Sequence, residues 1–165
     1  IRFHEDAPVH LYMQKSGMTE KEKEDFLEAF AEQPEKNTVG FCVMGGIFGE
    51  GIDLKNDRLI GTVIVGTGLP MVCDERELFR YYFEEKNGRG FDYAYLYPGM
   101  NKVMQSAGRV IRTTEDTGTI LLLDERFLNS AYQSLFPREW FPFETVNAVS
   151  MKQKLQEFWQ KYDET

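Results

Sequence analysis

Residues 38–54 read TVGFCVMGGIFGEGIDL. The first seven positions are almost continuously apolar. Such a run describes a strand buried on both faces, as in a parallel sheet. Cys42, inside that run, is expected as a small core residue. Gly45, Gly46, Gly49 and Gly51 then follow in close succession. A glycine-rich loop leaving a strand exposes backbone amides where α/β sheets gather their ligands. A phosphate-cradling loop would carry Lys followed by Ser or Thr, whereas this one carries Glu50 and Asp53. A carboxylate repels a bare phosphate but is useful beside a ribose hydroxyl or a magnesium-bound water. A tight turn with two solvated acids accounts for the same residues.

Working outward, VHLYMQ (9–14) alternates Val9, Leu11 and Met13 and predicts a short strand. Thr19 with Glu22 three residues later forms a capping-box signature for a helix over TEKEKEDFLEAFAEQ, with Phe26, Leu27 and Phe30 as its apolar stripe. IGTVIVGTGLP (60–70) and GTILLLD (118–124) read as two more buried strands. Between them, DERELFRYYFEE (74–85) is a helix that NGRG breaks, and helix is expected again from Asp92 to Arg112 despite Pro98 and Gly99. Val146, Val149, Leu155, Phe158, Trp159 and Tyr162 mark a terminal amphipathic helix over 144–162. Apolar strands alternating with helices predict an α/β fold with a mostly parallel sheet and helices on both faces. One domain over 1–165 is expected, with the terminal helix as an appendage to it.

The chain has 165 residues and a formal net charge of −8, which argues against a general nucleic-acid or membrane binder and leaves room for a local basic face. No apolar run is long enough to span a membrane. Neither the two cysteines nor His4 and His10 have a metal-site spacing, so no metal site is expected. The cysteine usage predicts a reducing, cytoplasmic setting. The chain opens on Ile1 rather than Met, and a longer protein is expected.

QSAGRVIR (105–112) is the second polar segment. In a helix, Gln105, Arg109 and Arg112 would share one face, a fitting cradle for a triphosphate. Gly108 removes a side chain beside Arg109 and allows close approach to another surface. An exposed face with Arg–carboxylate pairs explains these residues equally well.

The two segments together resemble a known family. GEGIDL followed by VIVGTGLP is similar to motif V and its downstream strand in superfamily 2 helicases. QSAGRVIR matches the motif VI pattern Q-x-x-G-R-x-x-R, and TTEDTGTILLLDERF is similar to the XPD/DinG branch. The resemblance covers roughly residues 9 to 140. It implies the second, C-terminal RecA-like domain, a three-layer α/β unit, of an ATP-dependent DNA helicase. The first RecA-like domain, with its Walker A loop, would lie upstream. ATP and Mg2+ would be used by the intact enzyme, and an iron–sulfur cluster could belong only to the missing domain.

The resemblance also implies roles. Arg112 would be the arginine finger on the γ-phosphate, and Arg109 would share that charge stabilisation or bridge to acids of the first domain. Gln105 would orient the pair or the attacking water. Gly51, Asp53 and Glu50, with Gly108, would lie on the nucleotide side. Gln14 and Lys15 match positions that contact the DNA backbone, and Lys55, Arg58 and Lys102 offer local positive charge. Asp124 reads as a structural cap at a strand end. Single-stranded DNA, ATP and the upstream domain are the implied partners, with 5′ to 3′ movement and DNA repair as the setting. A non-unwinding superfamily 2 ATPase and a non-enzymatic module on the same fold are the competing readings.

Overall fold

The computed structural model describes residues 9–30, 37–48, 54, 58–114 and 116–163. They fall into two compact units, one formed by 1–41 with 137–165 and the other by 42–136.

In the first unit, β1 (Val9–Met13) and β2 (Asn37–Phe41) are parallel, in register from Val9 opposite Asn37 to Met13 opposite Phe41. Parallel neighbours need a crossover, and α1 (Glu20–Glu28) lies between them in sequence. The predicted capping box is present: the Glu22 amide donates to the Thr19 hydroxyl, and the Thr19 amide donates to the Glu22 carboxylate. Phe26 is the buried residue of α1 and meets Tyr12 edge-on and Phe30 at a tilt. A Cβ on Gly40 would come within 2.9 Å of both rings, so glycine lets them lie against β2.

The alternation in β1 points the other way from expectation. Val9, Leu11 and Met13 are exposed, and Tyr12 is the residue that turns toward the Phe26 ring. An aromatic ring and a bare glycine backbone make this interface, in place of the aliphatic set. β2 is also shorter than the apolar run, and Cys42 is exposed rather than in the core.

In the second unit, β3 (Gly61–Val65) and β4 (Thr119–Leu123) are parallel, with Val63 opposite Leu121. Their crossover contains α2 (Asp74–Asn87), a π-helical turn (Asp92–Leu96) and α3 (Tyr97–Ala107). Gly88 caps α2 in the left-handed region at φ 69°, as the NGRG break foretold. The core is Ile64 with Ala94, Tyr95, Leu96, Met100, Val103, Ala107 and Val110. Expected burial on both faces of these strands is not what the structure has: Ile64 is sealed while Val63, Val65 and Leu123 are exposed. An apolar run reveals that a strand exists, and the elements packed on it decide which faces close.

Asp124 ends β4 as expected. Its carboxylate accepts the Arg126 amide at 2.9 Å and both arms of the Arg126 guanidinium at 2.8 and 2.7 Å. α4 (Ser130–Gln133) follows a short 3-10 turn, and α5 (Ala148–Asp163) is the terminal helix. Asn147 caps α5 through the amides of Val149 and Ser150. Two parallel β–helix–β crossovers make this an α/β chain of RecA-like type. No helix among the described residues is long and apolar enough to cross a membrane.

Candidate functional site

The second unit gathers three segments near the carboxyl end of β3. The loop after β3 turns through Gly66 (φ 85°) and Gly68 (φ 64°), with Thr67 between them at 1% exposure. A Cβ on Gly68 would stand 2.9 Å from the Gly99 carbonyl and 2.8 Å from the Met44 sulfur. A Cβ on Gly45, itself at φ 74°, would stand 3.3 Å from Cδ and Cε of Lys102. The turn after β3 and the first turn of α3 are thus packed backbone to backbone, and the start of the glycine loop meets them through the Met44 and Lys102 side chains. The half-buried stem of Lys102 lies along this seam. The sequence offered Lys102 only as a spare cation. Its place beside Gly45 and Gly68 was signalled by the glycines of GTGLP and by Gly99.

Phe48 and Leu54, which flank the acidic part of the loop, are both buried. Glu50, Gly51, Asp53 and Lys55 lie outside the described residues.

The motif VI segment departs from a single helical face. α3 stops at Ala107, and Gly108 is its C-cap. The last turn tightens, with the Arg109 amide on the Ser106 carbonyl and the Val110 amide on the Ala107 carbonyl. The Asp116 carboxylate then accepts the amides of Arg112 at 2.9 Å and Thr113 at 2.7 Å. That side chain offers the backbone an alternative to further helix, which is why the helix ends five residues early. Gln105 is therefore on α3, Arg109 in the closing turn, and Arg112 in the loop held by Asp116. Gln105 is exposed, and both arginines are half-buried. A Cβ on Gly108 would meet only carbonyls of its own helix.

Val110, at 2% exposure, anchors the segment from below. A Cβ on Gly118 would fall 2.3 Å from Val110 Cγ1 and 2.9 Å from the Ile60 carbonyl, so glycine lets the approach to β4 pass directly over it. Asp116 and Gly118 hold the loop that carries Arg112, a part that the sequence offered only as the branch resemblance of TTEDTGTILLLDERF. The D-T-G run before an apolar strand was the available signal.

Gln14 and Lys15 belong to the first unit. The Gln14 amide continues the ladder onto the Phe41 carbonyl, and Lys15 is exposed just beyond. Among the described residues no group of three or more His, Cys, Asp or Glu could hold a metal ion.

This RecA-like α/β unit carries its paired arginines in the closing turn of α3 and in the loop that leads to β4. Comparison with known proteins places it more closely. The family model described as a helicase C-terminal domain matches residues 2–162, and the chain belongs to that family, in its DinG/XPD-type branch. It is 34% identical over 103 residues to the ATP-dependent DNA helicase DinG of Photobacterium profundum, covering 61% of this chain and 15% of that protein. It is 28% identical over 128 residues to a probable ATP-dependent helicase of Methanocaldococcus jannaschii, covering 72% of this chain and 19% of that protein. A regulator of telomere elongation helicase 1 homolog of Caenorhabditis elegans is 30% identical over 106 residues, covering 59% of this chain and 11% of that protein. The chain thus spans less than a fifth of the length of these relatives.

Proposed function

We propose that this domain is the second motor domain of an ATP-dependent DNA helicase of the DinG/XPD type. Arg112 is its arginine finger, offered across a cleft to ATP that a first RecA-like domain holds. Arg109 shares the charge stabilisation, and Gln105 orients the pair or the attacking water. Glu50, Gly51 and Asp53 contribute to nucleotide binding, with Gly108 leaving room beside Arg109. Gln14 and Lys15 touch the backbone of single-stranded DNA. Mg2+ accompanies the nucleotide in the intact enzyme, which works in the cytoplasm.

The observation that carries this reading is the anchoring of the arginine loop. Its amides are fixed by Asp116 and its floor by Val110 under Gly118. Phosphoryl transfer depends on charge stabilisation by groups already in place, so a finger on a tied loop acts without reorganising. Because the finger comes from one domain and the phosphates are held by another, hydrolysis requires closure. DNA bound to both domains can then be moved once per cycle.

The test compares the protein that carries this domain with the isolated chain, in magnesium and ATP, with and without single-stranded DNA. DNA-stimulated turnover by the former and none by the latter is expected, because the chain lacks a Walker A lysine. Turnover by the pure isolated chain, or none by the whole protein, contradicts the reading. Strand displacement separates a helicase from an ATPase that remodels without unwinding.

A further inference from the structure

α3 does not begin as an ordinary α-helix. The Tyr97 amide reaches back five residues to the Asp92 carbonyl, closing a π turn that houses one extra residue. Pro98 follows immediately and has no N–H. In α-helical pairing that N–H would serve the carbonyl of Ala94. Ala94 is 2% exposed, so water does not replace it. Arg76, one turn into α2, fills the place: its Nη1 donates to the Ala94 carbonyl at 3.0 Å. The next residue of each segment repeats the tie, with the Tyr95 hydroxyl donating to Glu77 at 2.6 Å. Arg80 Nε steadies Glu77 at 2.9 Å. Gly90 brings the chain into the turn so closely that a Cβ would lie 2.2 Å from the Arg80 carbonyl.

One residue more or less in a helix turns everything beyond it by about 100° and shifts it by about 1.5 Å. Where the π turn sits therefore sets the direction in which Gln105 and the arginine loop leave α3. π turns of this kind are frequent at functional sites. We propose that Arg76 is a positioning residue for the arginine loop, acting by capping the carbonyl that Pro98 leaves open and so locking the π turn in place. The proposal rests on the reading of Arg112 as the finger. Arg76 touches neither nucleotide nor DNA in it.

The experiment measures DNA-stimulated ATP hydrolysis in the protein that carries this domain. The variants are Arg76→Met, Pro98→Ala, the two combined, and Arg112→Lys as reference. Arg76→Met keeps the aliphatic stem and removes the donor. It is expected to lower kcat about 10- to 100-fold, the scale of an ångström of misplacement. The KM for ATP is expected to stay within about twofold, because the loss is confined to the transition state. Pro98→Ala restores a main-chain donor. In that background the loss on adding Arg76→Met should shrink to about threefold or less, a coupling that a double-mutant cycle reads directly. Arg76→Lys, which can still donate to one carbonyl, should recover part of the rate. If Arg76→Met does not fold, Arg76→Leu with and without Pro98→Ala carries the same test, since it too removes the donor and keeps an apolar stem.

An unchanged kcat in Arg76→Met, or an equal loss with and without Pro98→Ala, overturns the proposal while Arg112→Lys remains inactive. Full activity in Arg112→Lys instead removes the functional reading, and this proposal falls with it.

Discussion

α1 and α3 are both crossover helices between parallel strands, and they are held by different means. α1 starts at a capping box, contributes one buried ring, and lies on a glycine. Every one of those features is close in sequence or a single contact deep. α3 buries Met100, Val103 and Ala107, enters through a π turn tied to α2, and is closed by Asp116 and Gly118 from beyond its end. The helix that leads to the candidate arginines is thus the one whose course is set by residues elsewhere. A scaffold helix can be specified locally. Under the proposed function, a helix that delivers an arginine to a phosphate needs its axis and its end fixed from several sides.

The difference can be broken by substitution. Met100→Ala should destabilise the chain most, by about 2–5 kcal/mol, because its side chain is sealed at 1% exposure among well-packed neighbours. Thr19→Ala should cost less, about 0.5–2 kcal/mol, since it removes a cap at a solvent-exposed helix start. Chemical denaturation of both variants gives the comparison. A Thr19→Ala loss equal to that of Met100→Ala would show the two helices to be held alike.

A smaller effect concerns acid. The Arg126 guanidinium beside Asp124 holds its carboxyl down to about 2, from an ordinary 3.8. A carboxyl lowered in the folded state stabilises above its unfolded value and ceases to as pH falls through the folded one. The contribution of Asp124 should therefore be full above about pH 4 and fade toward pH 2. Melting curves of wild type and Asp124→Asn should converge over that interval. A constant gap would mean that the ion pair does not stabilise the end of β4.

Much of this fold was legible in the sequence. The apolar runs located β2, β3 and β4, and Thr19 with Glu22 located the start of α1. α2 ended where Gly88 could take a left-handed turn. The exposed faces were not legible, because burial of Val63 or Leu11 depends on what packs there and not on the strand itself. Nor was the end of α3. Residues 108–112 are acceptable to a helix, and the stop comes from a carboxylate at position 116 and a close pass at Gly118. The π turn left no periodicity to read, although Pro98 and Gly99 marked the place. The candidate site residues were grouped in the sequence through their motif spacing alone. Their division among a helix, a turn and a loop required the structure.

The most direct test of the account is Arg112→Lys in the protein that carries this domain. ATP binding, ATP hydrolysis with single-stranded DNA, and thermal melting are measured on the same preparation. Lysine keeps the charge and loses the planar fork that engages two oxygens of the transferring phosphoryl group. Arginine fingers contribute about 10³ to 10⁵ in rate. The account predicts near-complete loss of hydrolysis with ATP binding and melting close to wild type. Hydrolysis at the wild-type rate in a normally melting variant would contradict it, and would pass the role of finger to Arg109.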